Sequence, residues 1–479
     1  MYDVTIIGCG IIGAAAAFEL SRYDLKVLVL EKSGDAANGT TKANSAILHA
    51  GFDAPPGTLE AKLNLEGIAL AKELCEKLDV ERREIPTLVL AFDKRDIGEL
   101  EMLFQRGMKN RVPGLRIIGR EEALSREPNL NPSLMAALYA PGSAVVNPWE
   151  YAIALAETSV SNGAEIRLNS EVTAIEKRDG AFRITAGGGT VASRYVVNAG
   201  GCFSGKIHEM AGGSGFTHTN FAGQYHVLDK SQGGIINSVV FPCPDEHGFK
   251  GILAAPTVHG NLIVGPDAYQ VKDGSDTAST ARGLSDLMAQ GRKLVPGIDF
   301  SQIIRQYAGV RPNTDIPDFI IGESPFCKNF INLAGIKSPG LSAAPAIARM
   351  LIGILDQCGL ALTEKKHWAG NRRRLKFRGL NPEEMDRVIR KNSAYGRIVC
   401  RCETVTEGEI IDALRRPLVP RSINAVKRRC GAGLGRCQGG FCTHRILKIM
   451  SRELALPPAS IPLEEEGSYM LLDSQGNTE

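Results

Sequence analysis

Asp3-Val-Thr-Ile-Ile-Gly8-Cys-Gly10-Ile-Ile-Gly13 decides how this chain begins to fold. Asp3 to Ile7 reads as a buried strand, the glycine-spaced stretch as a tight turn, and Ala14 to Arg22 as a helix. A second strand, Lys26 to Leu30, ends in Glu31, eighteen residues past Gly13. The three glycines act differently. Gly8 makes the turn, Gly10 lets the backbone approach a pyrophosphate, and Gly13 lets helix and strand pack closely. Glu31 is placed to accept hydrogen bonds from ribose hydroxyls. With both strands, the helix and the acid in order, the pattern predicts a dinucleotide site.

Two later segments extend that site. Tyr195-Val-Val-Asn-Ala-Gly-Gly201 and Asn332-Leu-Ala-Gly-Ile-Lys-Ser-Pro-Gly-Leu-Ser342 are apolar strands running into turns, and the second leads into an apolar helix, Ala343 to Leu355. The positive N-terminal end of that helix suits a reduced, anionic flavin ring. Asn44-Ser-Ala-Ile-Leu-His-Ala-Gly51, Gly223-Gln-Tyr-His-Val-Leu-Asp-Lys230, Pro256 to Pro266, Ala308-Gly-Val-Arg-Pro312 and Gly335 to Leu341 follow in order. This ordered set resembles the D-amino-acid oxidase-like superfamily of FAD enzymes, within it the glycerol-3-phosphate dehydrogenase and L-2-hydroxyglutarate dehydrogenase branch. The resemblance implies FAD, held by Ile12, Lys32, Thr40, Thr41, Asn44 and Ser45 near the front. It adds Val172 at the adenine, Ala199 and Gly200 after the third strand, and Gly335, Pro339, Gly340, Leu341 and Ser342 before the long helix.

A flavin that oxidises an alcohol takes a hydride from carbon, so a base must reach the substrate oxygen. His49 is the first choice, because the family's histidine at that position is credited with the role; the alternative is a satisfied structural histidine. His226 is the second candidate, on the sheet that the family lays over the flavin. Arg311 suits an anionic tail through paired hydrogen bonds, with a structural salt bridge as the alternative, and Lys337 is a cation placed either to stabilise reduced flavin or simply to hold the loop. Two departures from the family pattern stand out: Ala222 occupies a position where many relatives carry arginine, and Val146-Asn-Pro148 replaces a common Val-Asp-Pro.

The last quarter carries Cys400-x-Cys402 and Cys437-x4-Cys442 around an expected helical segment. Two thiolate pairs are what the two irons of a [2Fe-2S] cluster require. Structural zinc is the alternative, but Cys400-x-Cys402 is tighter than the usual C-x2–4-C. Arg401, Lys427, Arg428, Arg429 and Arg436 with the surrounding glycines suit an anionic centre, and Cys430 reads as a spare thiol. Val399 to Glu403 and Gly435 to Cys442 resemble the bacterioferritin-associated ferredoxin-like [2Fe-2S] module, in which cysteines at the four paired positions hold the cluster.

The expected fold class is α/β: a Rossmann-like FAD-binding domain with an α+β antiparallel-sheet substrate domain, plus a small helical [2Fe-2S] domain. The FAD-binding domain is expected from 1–85, 145–215 and 325–362, the substrate domain from 86–144 and 216–324, a solvated linker at 363–395 including Arg372-Arg373-Arg374, the [2Fe-2S] domain at 396–455 and a loose tail at 456–479. A 479-residue chain is long enough for several cores, and a net charge of +3 gives no case for nucleic acid. No signal peptide or span of about eighteen apolar residues is evident, and eleven cysteines without a secretion signal point to reduced thiols in a cytoplasm. The six outside the C-terminal segment, including Cys202 and Cys358, read as small buried residues. The leading expectation is a cytoplasmic FAD dehydrogenase of a small anionic hydroxy compound, with glycerol 3-phosphate first. L-2-hydroxyglutarate, an imino acid, or a purely electron-transferring role are the alternatives. Electrons would leave through the cluster to a redox partner protein or subunit, with membrane association only through such a partner.

Overall fold

The computed structural model describes residues 1–245 and 249–471. The opening strand, Tyr2–Ile7, lies between Gly189–Asn198 and Val27–Leu30, all three parallel. Phe330–Ala334 and Glu165–Arg167 extend the parallel core on either side, within an eight-stranded sheet. Helices Ile11–Leu20, Pro148–Ser161 and Gly340–Gln357 pack on it through alanines and large aliphatics. Close packing explains the glycines. A Cβ on Gly13 would fall 1.9 Å from the carbonyl oxygen of Gly8, and Gly8 itself has a φ of +101° with the Ala199 carbonyl pressed against it.

The second layer is a nine-stranded, largely antiparallel sheet. Phe221–Leu228 pairs along its length with Ile303–Arg311, which sets Tyr225 opposite Tyr307. Gly309 lets this sheet come down on the loop after Val27–Leu30, since a Cβ there would lie 1.9 Å from the Ala43 carbonyl oxygen. Alternation along Phe221–Leu228 turns Tyr225 and Val227 toward the flavin side and His226 to the other.

The C-terminal part has its own small core of Val399, Ile410, Val426, Ile446 and Met450. Helices Glu407–Leu414 and Ile423–Cys430 fill the interval between the cysteine pairs. This unit is clamped to the flavin domain by charges that sequence alone placed elsewhere: Arg428 and Arg429, expected to face the cluster, instead pair with carboxylates of the flavin domain and the C-terminal segment. Arg429 reaches Asp35 at 2.8 Å and Glu157 at 3.4 Å, and Arg428 bridges Asp35 and Glu464. Arg372 pairs with Glu150 and Glu157, and Arg374 with Glu150. Arg372 and Arg374 are therefore half-buried anchors, which corrects the solvated reading for these two, while Arg373 is exposed as expected. The tail reading is corrected too: Ile461 is buried and Glu465 accepts a hydrogen bond from Asn38 at 2.8 Å. The expected loose end at Asp473 to Glu479 lies outside the described residues.

Burial pushes the Asp35 carboxyl up, but Arg429 and Arg428 outweigh it and hold the group below the usual range. Glu150 behaves alike: burial raises it, and Arg374, Arg372 and Arg416 bring it down to about 2. A carboxylate whose folded pKa is depressed stabilises fully above its unfolded value, and that stability is lost as pH falls through the folded one. Docking of the C-terminal unit should hold at pH 6 and fail between about pH 4.5 and 2, read by its release to limited acid proteolysis. At neutral pH, Asp35→Ala should cost roughly 3–5 kcal/mol in urea unfolding by removing the buried carboxylate that both guanidiniums share, leaving Arg429 with Glu157 and Arg428 with Glu464. Asp24→Ala, at an exposed site, should change it by less than about 0.5 kcal/mol.

Candidate active site and metal centre

One cavity of ≈ 1940 Å³ runs between the two sheets and the C-terminal unit. It is larger than the ~300–1,000 Å³ of an ordinary ligand site, with room for a dinucleotide and a substrate together. Gly8, Gly10 and Ile12 line one end, where the helix Ile11–Leu20 begins. Thr41 Oγ1 accepts the Ile11 N–H at 3.0 Å, and Thr40 Oγ1 donates to the Val310 carbonyl, so these threonines tie the loop as well as facing the cavity. Glu31 accepts the backbone N–H groups of Cys9 at 2.6 Å and Ser33 at 2.9 Å. Burial raises its carboxyl pKa against the pull of those donors. Lys32 stacks over the Phe203 ring at 3.6 Å, and Val172, Ala199 and Gly200 close this end.

Asn44 and Ser45 lie under the second sheet. The Asn44 amide donates to the Thr40 and Thr41 carbonyls, its backbone carbonyl accepts the Tyr307 hydroxyl at 2.9 Å, and Ser45 meets the Tyr225 hydroxyl. Tyr225 and Tyr307 stack with ring centroids 4.6 Å apart. Pro339, Gly340 and Leu341 bring a second helix N-terminus, that of Gly340–Gln357, to the cavity. Gly335, Gly13 and Ser342 do not line it. Gly335 packs against Thr314, and the Ser342 hydroxyl accepts the backbone N–H of His49 at 2.8 Å, which braces the histidine.

His49 lines the cavity with its Nε2 3.1 Å from the Ser338 hydroxyl. Burial, with help from the Lys250 charge, lowers its pKa to about 3, so the ring is neutral at ordinary pH. Arg311 donates to the carbonyls of Asp267 and Ala222 and turns the rest of its guanidinium to the cavity. Lys337 pairs with Glu60 at 3.2 Å, also at the wall. His226 is displaced from the site: its Nε2 bonds the Leu284 carbonyl at 2.8 Å and its ring packs on Phe300, on the far face of the sheet. Lys250, ion-paired with Asp53 near His49, is a cavity cation that no motif singled out. Cys202 also lines the cavity, only half-buried, and Cys358 is half-buried as well, so neither fits the expectation of fully buried thiols.

The four C-terminal cysteines meet as cross pairs. Cys402 Sγ lies 3.7 Å from Cys437 Sγ, and Cys400 is hydrogen-bonded to Cys442. The Cys442 thiol and the backbone N–H groups of Gly433 and Glu403 bring Cys400 down to about 6. Two thiol pairs suit the two irons of a [2Fe-2S] cluster. A Cβ on Gly435 would lie 2.2 Å from Cys402 Cβ, so the glycines form the cradle. Arg401 and Arg436 point to solvent, a correction to their expected place facing the cluster. Lys427 is the cation beside it, its pKa drawn to about 7 by burial and then by Arg305. Cys430 donates to the Val426 carbonyl and stays outside the pairs.

A glycine turn feeding a helix, a sheet roofing the cavity, and a thiolate cradle at its edge define a flavin-dependent oxidoreductase with an attached iron–sulfur centre. The chain belongs to the FAD dependent oxidoreductase family, matched over residues 3–353, and carries a BFD-like [2Fe-2S] binding domain over 398–452. Its cofactors are accordingly FAD and a [2Fe-2S] cluster. Over 472 residues it is 44% identical to the glycerol 3-phosphate dehydrogenase of Caloramator mitchellensis, covering 98% of each chain. The dithionite-reduced, FAD-bound L-alpha-glycerophosphate oxidase of Mycoplasma pneumoniae superposes with a TM-score of 0.74 at 35% identity, covering 77% of this chain and 98% of that one. The human mitochondrial L-2-hydroxyglutarate dehydrogenase is 27% identical, over 74% of this chain and 89% of its own. Among the described residues no helix is long and apolar enough to cross a membrane.

Two outcomes follow from the geometry. Glu31→Gln should weaken FAD binding to the apoprotein by roughly tenfold to a hundredfold, the worth of about 1.5–3 kcal/mol for a hydrogen bond to a charged group, measured by flavin fluorescence titration. Cys442→Ser should lose the cluster's iron and visible absorbance, while Cys430→Ser keeps both.

Proposed function

We propose that the protein oxidises sn-glycerol 3-phosphate to dihydroxyacetone phosphate and passes the electrons out through its [2Fe-2S] domain to a partner acceptor. The observation that carries this is a neutral His49 imidazole sharing one cavity with the cations Lys250, Arg311 and Lys337. A neutral imidazole accepts the hydroxyl proton as the alcohol becomes a ketone, while Ser338 holds the ring and the Ser342 hydroxyl holds the His49 backbone. Arg311, already braced by two carbonyls, offers its remaining donors to the phosphate oxygens. Tyr225 and Tyr307 wall the pocket against water. FAD, when bound, supplies the hydride acceptor and divides the two electrons for one-electron transfer. The likeness to the Caloramator glycerol 3-phosphate dehydrogenase over its full length supports the substrate, and the two Mycoplasma glycerol 3-phosphate oxidases, which match 77% of this chain, support it as well.

Anaerobic mixing with glycerol 3-phosphate should bleach the flavin promptly. Bleaching by L-2-hydroxyglutarate or an imino acid, and none by glycerol 3-phosphate, would replace the substrate. His49→Ala should slow bleaching by roughly 10²–10⁴-fold, the usual worth of a general base, while His226→Gln leaves it unchanged. Because the His49 pKa is lowered to about 3, its base form persists through the acidic range. The bleaching rate should therefore show no histidine limb between about pH 5 and 8, whereas loss of rate around the ordinary histidine value near 6.5 would contradict the assignment.

A further inference from the structure

The cysteine pairing gives the metal centre two unlike sides. Cys400 and Cys442 are buried, and the loop that wraps Cys442 touches Lys427, whose side chain lines the flavin cavity. Cys402 is exposed and Cys437 half-buried. The segments that supply the ligands, 398–402 and 435–448, carry Arg401, Arg436, Arg445 and Lys448, all exposed, and not one Asp or Glu. The carboxylate that follows Cys402, Glu403, is buried and held by Lys230 at 2.8 Å and Arg378 at 3.2 Å. Arg436 approaches one acid, Asp229, at 3.8 Å while its own side chain stays 70% exposed. Between Gly440 and the ligand Cys442, Phe441 is 78% exposed, more than any other large apolar side chain among the described residues.

Folding does not account for such a ring, because a phenylalanine left in water contributes no burial. Beside a metal centre and within a cationic rim it has the makeup of an interface, an aromatic anchor amid charges that steer the partner. Electrons that enter on the buried side from the cavity have their exit on this side.

We propose that the exposed edge around Cys402, Cys437 and Phe441 docks an acidic one-electron carrier protein. The proposal rests on the reading that electrons leave through the cluster. One electron passes from the reduced cluster to the oxidised carrier, returning the cluster to its oxidised form, so each substrate oxidised reduces two carriers. The positive rim sets the encounter and Phe441 fills a hollow on the partner.

The probe is the haem domain of cytochrome b5, an acidic one-electron acceptor, with basic cytochrome c as the comparison. Binding of each to the oxidised holoenzyme is measured by calorimetry at about 20 and 200 mM salt, which brackets a Debye length of about 10 Å. Cytochrome b5 should bind, and more weakly at the higher salt. Arg445→Glu and Phe441→Ser should each weaken it by about tenfold, with flavin bleaching by substrate unchanged and Arg445→Lys restoring affinity. Cytochrome c binding as tightly as cytochrome b5, or variants that bind cytochrome b5 like the parent, would overturn the proposal. A cluster that dithionite reduces but substrate does not, with cytochrome b5 binding intact, would overturn the exit reading and leave the docking face standing.

Discussion

The structure turns on a buried exchange of charge between Asp35, Glu150 and Glu157 of the flavin domain and Arg372, Arg374, Arg416, Arg428 and Arg429 from the C-terminal third. Arg429 is fully buried, so it must be paired or the fold must give way. An apolar contact of the same area would tolerate sliding, but guanidinium forks meeting carboxylates at fixed angles do not. The network thereby fixes the orientation of the iron–sulfur unit as well as its attachment.

That orientation gives the cavity a third wall. Lys427, Arg428, Gln438 and Glu464 stand on the C-terminal unit yet line the same space as Gly8 and His49. Arg305, on a strand of the roofing sheet, donates to Gln438 at 3.1 Å, so sheet and cluster unit are also joined directly. The roof, the glycine turn and the thiolate cradle form one continuous site whose parts lie more than 400 residues apart in the chain.

Local pattern explains what could be read in advance. The strand, turn and helix from Tyr2 to Leu20 follow from a continuous apolar run broken by three spaced glycines. The cysteine spacing announced a two-iron centre, though which sulfurs pair was set by folding, since the partners come from different segments. Arg372 looked solvated because its partner Glu150 lies 222 residues earlier, beyond any local signal. His226 was a different failure: strand alternation puts it opposite Tyr225, and once Tyr225 faces the cavity it has to face away. Lys250 carried no motif at all and becomes a cavity cation only through the close approach of its loop to Asp53.

With flavin cavity and thiolate cradle sharing walls inside one chain, the central claim is that electron transfer between them is intramolecular. Reduced-cluster signal is followed by freeze-quench electron spin resonance after anaerobic mixing with excess substrate, across a tenfold range of enzyme concentration. A rate constant independent of enzyme concentration is the predicted result. A rate that rises in proportion to it would mean that electrons reach the cluster between molecules, and the docked arrangement would not be the working one.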